Sequence, residues 1–333
     1  NTIGGTMPGE GNVISANVGG LRLDGFNHQA QGNIIGLAAD GVAPLGNTFK
    51  GILILNGSNH IIGGTQAEAR NIISANGEQG IEISLSSSTG NVILGNYIGT
   101  DRTGTLDRGN ALDGIGINNG AANNTIGGTT AGAGNVISGH DGYDGGGVRI
   151  SGAATTGNVV QGNYIGTDVS GTVDLGNSVG VYISGSSGNI VGGTAAGAGN
   201  IISGNDTNGI NVGAASNTLI QGNWIGLGAT GAALPNSTYG GIFLGTGSNN
   251  TIGGPTAAAR NVISGNIGNG LWLQNGTANL IQNNYIGTDV TGNVAVGNRG
   301  KGIQILDAPG NTFADNVISG NLQDGLAIGG AGN

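Results

Sequence analysis

An internal repeat runs through the whole chain and decides what it can fold into. A segment of the form Gly-apolar-x-apolar occurs at residues 20–23, 51–54, 80–83, 114–117, 147–150, 180–183, 209–212, 241–244, 270–273, 302–305 and 325–328. These eleven copies lie mostly 29 to 34 residues apart. A second segment, Asn-apolar-Ile, also occurs eleven times, beginning at Asn12, Asn33, Asn71, Asn96, Asn135, Asn163, Asn200, Asn223, Asn261, Asn284 and Asn316. A third short strand lies between the two, as in Asn124-Thr125-Ile126 or Asn217-Thr218-Leu219.

Strands of three to four residues are too short for independent hairpins, and each has one apolar face. The 75 glycines and 44 asparagines are poor helix material but tolerate sharp corners and positive φ. Glycine without a G-X-Y period excludes a triple helix, and 8% charged residues argue against disorder. The expected fold is all-β: one continuous β-solenoid over residues 1–333, with each repeat one coil of about 30 residues and each strand parallel to its equivalent in the next coil. Ile, Val and Leu then stack inward, and corner asparagines form amide ladders. Eleven coils at ~4.8 Å give a rod of roughly 50 Å. Two kinds of coil alternate, with a period of about 61 residues. One kind inserts a loop between its second and third strands, at 127–134, 192–199 and 253–260. The other inserts after its third strand, at 99–104, 166–171 and 287–292.

The units Asn-Thr-Ile-Gly-Gly-Thr (124–129), Gly-Asn-Ile-Ile-Ser-Gly-Asn (199–205) and Gln-Gly-Asn-Tyr-Ile-Gly-Thr-Asp (161–168) resemble the right-handed parallel β-helix repeats of very large bacterial surface and secreted proteins. The resemblance covers essentially the whole chain and implies right-handedness. Many such β-helices are polysaccharide lyases, hydrolases or epimerases; others are adhesin shafts without chemistry. The location it implies is extracellular or at the bacterial cell surface.

The net charge is −9, and the nine Lys and Arg residues are scattered rather than striped. That excludes nucleic acid as an expected partner. No run of 18 apolar residues exists to insert in a membrane. Without cysteine there are no disulfides, thiol nucleophiles or Cys-ligated zinc. The densest catalytic candidate is His140, Asp141 and Asp144 with Arg149, where His140 replaces the asparagine found at Asn205 and Asn266. The plainer reading is a polar loop with a tolerated substitution. Paired aspartates on adjacent coils, as glycoside hydrolysis requires, are not recognisable, nor is a Lys- and Arg-rich lyase cleft. Asp101, Asp168 and Asp289 recur in Gly-Thr-Asp loops and are the candidate Ca²⁺ ligands, although one carboxylate every second coil makes a poor cage. A side chain bonding to its own loop is the simpler account. No other cofactor is expected. His60 falls where Asn124 and Asn250 stand, so it is expected to replace a ladder rung.

The x of Gly-apolar-x-apolar should face solvent, and reading it up the stack places Tyr182, Asn211, Phe243, Trp272 and Gln304 on consecutive coils. Grouped rings with polar neighbours suit a carbohydrate platform or a partner face. Ile115, Ile117, Val181 and Ile183 should be buried and Tyr182 exposed. The residue after the asparagine of the third strand is also apolar, so that outer face is expected to be shielded by the insertion loops. The chain begins at Asn1 on the phase at which Asn333 ends it, without visible caps. It is therefore expected to be a segment of a longer solenoid, or a protomer that self-associates through its ends. Two functions follow: a non-catalytic shaft, spacer, adhesin or filament segment, or a carbohydrate-binding or polysaccharide-degrading β-helix (a lyase or glycoside hydrolase).

Overall fold

The computed structural model describes residues 1–142 and 145–330. Its strands form three parallel sheets of eleven strands each, every strand pairing with its equivalents in neighbouring coils. The chain is a parallel β-solenoid of the right-handed type. Among the described residues, the only helical segments are the 3-10 turns Ala67–Ala69 and Ala257–Ala259, both in insertion loops. A central coil shows the plan: Ile115–Asn118, Thr125–Gly127 and Val136–Ile137 lie on the first, second and third sheets in turn. Alternation then sends Ile115, Ile117, Ile126 and Ile137 into a core where all four are fully buried.

The register follows the repeat. Arg22, Leu53, Glu82, Gly116, Arg149, Tyr182, Asn211, Phe243, Trp272, Gln304 and Ala327 are partners in unbroken succession along the outer side of the first sheet. Val181 and Ile183 are buried as expected. Tyr182 points outward but is only partly exposed, because the Arg149 guanidinium lies 4.7 Å from its ring centroid. One strand departs from the sequence alignment. Leu219 pairs with Ile190 and Thr251, so Asn217-Thr218-Leu219 sits one residue out of step with Asn124-Thr125-Ile126. The shift places Ile220 in the core, while Asn217 turns the corner at φ 56°.

Three side-chain ladders run along the corners. The one entering the third sheet is asparagine from Asn12 to Asn316, each Oδ1 accepting from the side-chain amide of the coil before. The same oxygens accept backbone N–H groups, as Asn163 Oδ1 does from Asn135 N at 3.0 Å. From Asn33 onward each Nδ2 also donates to a backbone carbonyl, as Asn163 does to Ile126 O at 3.0 Å. These groups would otherwise be buried without partners. Glycine makes the approach possible: Gly127 has φ +90°, and a Cβ there would lie 1.9 Å from Gln161 O and 2.5 Å from Asn163 Oδ1.

The ladder entering the second sheet is less uniform. His60 is a rung, accepting from His28 N at 3.0 Å and donating its own N–H to Asn91 Oδ1 at 2.9 Å. His28 is a rung too, stacked on His60 with ring centroids 5.0 Å apart. Thr218 interrupts the series: its Oγ1 has no hydrogen-bond partner, and Asn189 Nδ2 turns to Thr155 O and Ser186 O. Thr218→Asn should restore the rung and stabilise the chain by about 1 kcal/mol. A denaturant midpoint lower than the unmodified chain's would contradict that assignment.

Loops cover part of the outer face of the third sheet, while Val13 and Val317 near its two ends stay exposed. Leu37 packs with Ile72, Tyr97 and Val136, and Val169 packs against the same cluster. Tyr97, Tyr164, Trp224 and Tyr285 recur at every second coil, in step with the loops that follow the third strand. A Cβ on Gly104, Gly171 or Gly292 would lie 2.9, 2.8 or 2.7 Å from the ring of Tyr97, Tyr164 or Tyr285 respectively. The loop therefore lies flat on the ring. Arg70 and Arg260 cover Tyr97 and Tyr285, each 4.0 Å from the ring centroid.

Candidate ligand-binding groove

The structure separates His140 from Arg149 in the first candidate set. His140 is fully buried as a rung of the ladder that leaves the third sheet, its Nδ1 accepting from Asn110 N at 3.1 Å and its backbone N–H donating to Asn177 Oδ1 at 3.2 Å. Burial pushes its imidazole down to about 4, so it is neutral at physiological pH. Enclosed in this way, it cannot reach a substrate. Arg149 lies on the outer side of the first sheet, with Nε 2.8 Å from Asp113 Oδ1 and its guanidinium over Tyr182. Asp141 is exposed at the corner after His140, and Asp144 lies outside the described residues.

The loop aspartates serve their own loops. Asp101 accepts from Thr103 Oγ1, Thr105 N and Leu106 N. Asp168 accepts from Ser170 Oγ, Thr172 N and Val173 N. Asp289 accepts from Thr291 Oγ1, Asn293 N and Val294 N. Burial works against the charge of Asp101 and Asp168, yet these donors hold both carboxyls below the usual range. Among the described residues, no three His, Asp or Glu side chains are grouped to hold a metal ion.

The outward aromatics do converge. Phe243 and Trp272 meet edge to face, with centroids 5.3 Å apart and planes at 77°. Tyr239 joins them at 6.4 Å from Trp272, tilted by 46°. Together with Asn208, Asn211 and Gln274 they line a groove of about 210 Å³. Two of the five outward residues expected at this face stand apart from it. Tyr182 belongs to the Arg149–Asp113 group, and Gln304 Oε1 accepts from Asn269 Nδ2 at 2.8 Å.

Asn208, Tyr239 and Gln274 complete the groove and were not singled out in the sequence. Gln274 lies two residues beyond Trp272, so strand alternation places it on the same side. Tyr239 projects from a corner loop, immediately before Gly240 at φ +104°, where no repeat defines its direction. Asn208 is only 2% exposed, yet its Nδ2 has no hydrogen-bond partner, and Trp272 Nε1 has none either. Both side chains line the groove, and buried donors left without acceptors are costly.

No protein-family model matches the sequence, and a search of curated proteins returns no match. Among solved structures, the chain is similar to the periplasmic alginate epimerase AlgG at 13% identity and a TM-score of 0.46, covering 93% of this chain and 70% of that one. The A-module of a mannuronan C-5 epimerase from Azotobacter vinelandii aligns at 14% identity and a TM-score of 0.40, over 95% of this chain and 76% of the other. PfbA, a surface adhesin of Streptococcus pneumoniae, aligns at 14% identity and a TM-score of 0.35, over 90% and 70%. At these identities and scores, function rests on this chain's own residues.

Proposed function

We propose that this chain is a non-catalytic β-solenoid, a shaft or spacer or a self-associating filament segment, of an extracellular bacterial protein. The observation that supports this reading most is the use made of the polar side chains. The corner ladders tie each coil to the next, and even the three histidines serve as rungs. Pulled from its two ends, such a rod should yield in steps of one or a few coils, each releasing about 100 Å of chain at ~3.4 Å per residue. Collapse of the whole rod in one step at low force would contradict the reading.

A second reading is favoured by the groove: the shaft also binds carbohydrate through the outer side of its first sheet. The unpartnered Asn208 and Trp272 donors support it. Trp272→Ala should release the protein earlier from an immobilised polysaccharide while moving its melting temperature little, because that side chain lies outside the core. Equal retention of both proteins on every polysaccharide tested would remove this reading.

A further inference from the structure

We infer that the groove lined by Asn208, Asn211, Tyr239, Phe243, Trp272 and Gln274 binds an uncharged pyranose sugar and discriminates against acidic polysaccharides. The inference rests on the carbohydrate reading above and adds the class of ligand.

Three observations carry it. First, the walls are aromatic and set at angles, with Trp272 meeting Phe243 at 77° and Tyr239 at 46°. A pyranose ring has an apolar C–H face that packs on such rings and a rim of hydroxyls that does not. Second, the unpartnered groups are both donors: Asn208 Nδ2, on a side chain 2% exposed, and Trp272 Nε1. Each needs an acceptor oxygen, and a hydroxyl or ring oxygen supplies one. The amides of Asn211 and Gln274, which both donate and accept, suit hydroxyls that do the same.

Third, no Lys, Arg, Asp or Glu lines the groove. A uronate would bring a carboxylate into an aromatic recess that has no cation to pair with it, and burying an unpaired charge is unfavourable. Of the guanidiniums in this outer column, Arg149 is held by Asp113 and Tyr182, and Arg22 by Asp24. The groove therefore selects against charge as well as for shape.

Calorimetric titration of the unmodified chain tests this, with maltohexaose, cellohexaose and chitohexaose as neutral probes and hexamers of mannuronate and galacturonate as acidic ones. At least one neutral hexamer should bind, with every acidic hexamer weaker by about tenfold or more. Trp272→Phe keeps a ring and removes the N–H, and Asn208→Ser shortens the other donor; each should weaken neutral binding by roughly tenfold. Circular dichroism checks that both variants keep the β fold. Acidic hexamers binding as tightly as neutral ones would overturn the inference and leave the carbohydrate reading standing. Neutral binding unchanged in both folded variants would place the site elsewhere. No binding of any hexamer would overturn the inference and the carbohydrate reading together.

Discussion

Asn163→Ala is expected to lower stability by about 2–6 kcal/mol. The side chain sits mid-stack and takes part in five hydrogen bonds. Its Oδ1 accepts from the backbone N and the Nδ2 of Asn135, and its Nδ2 donates to Ile126 O, Gln161 O and Asn200 Oδ1. Alanine leaves Asn135 N without an acceptor and Asn135 Nδ2 with Ile93 O alone, at about 1–3 kcal/mol each. The break also separates the rungs on either side, which polarise one another along an unbroken chain. Equilibrium denaturation read by far-UV circular dichroism should show an earlier midpoint. A midpoint shift equivalent to under ~1 kcal/mol would mean that the ladder contributes little beyond filling space.

Acid should weaken the fold between pH 6.5 and about 4, and His140→Asn should remove the larger part of that loss. Burial pushes His60 and His140 from 6.5 down to about 4. Below pH 6.5 the unfolded chain protonates both imidazoles while the folded chain keeps them neutral, so the unfolded state binds more protons and stability falls. The loss is complete near pH 4 and amounts to about 3 kcal/mol for His140, with His60 adding a smaller share. Asp107, Asp174 and Asp206 work in the opposite direction, because burial raises their carboxyls and acid relieves it. Asp101, Asp168 and Asp289, all lowered, add their loss only as pH drops further through the carboxylate range. Asparagine at 140 matches the neighbouring rungs Asn110 and Asn177, so the variant should melt close to the unmodified chain at pH 8 and clearly above it at pH 5. Parallel melting curves across that range would contradict the assignment of His140 as a buried neutral rung.

The fold was legible because every coil carries the same residue types at the same places. Alternation within Gly-apolar-x-apolar identified the inward Ile115 and Ile117, and lining up the copies reproduced the outward column from Arg22 to Ala327. Register is ambiguous in the sequence where two offsets place apolar residues in a strand equally well. At Asn217-Thr218-Leu219 a one-residue slip still left apolar residues in the strand, and only packing of Ile220 decides the register. The site was less legible because it draws on residues that the repeat does not control. Phe243 and Trp272 lie in the repeat and were read as outward, whereas Tyr239 comes from a corner loop and Asn208 precedes the Gly of its motif. His140 gave the reverse case. Its residue type suggested chemistry, while its position already matched Asn205 and Asn266, and position proved the better guide. The expectation for the final phase at Asn333 lies outside the described residues.

The most direct test of a non-catalytic shaft with a glycan-binding groove is one incubation read two ways. The purified chain is mixed with a panel of neutral and acidic polysaccharides, and each mixture is assayed for bound protein and for new reducing ends or unsaturated products. Retention on neutral polysaccharide that depends on Trp272, with no product released from any polysaccharide, is the predicted result. Product release that survives repurification of the chain would contradict it, and would mean that the ladders and loops conceal a catalytic group.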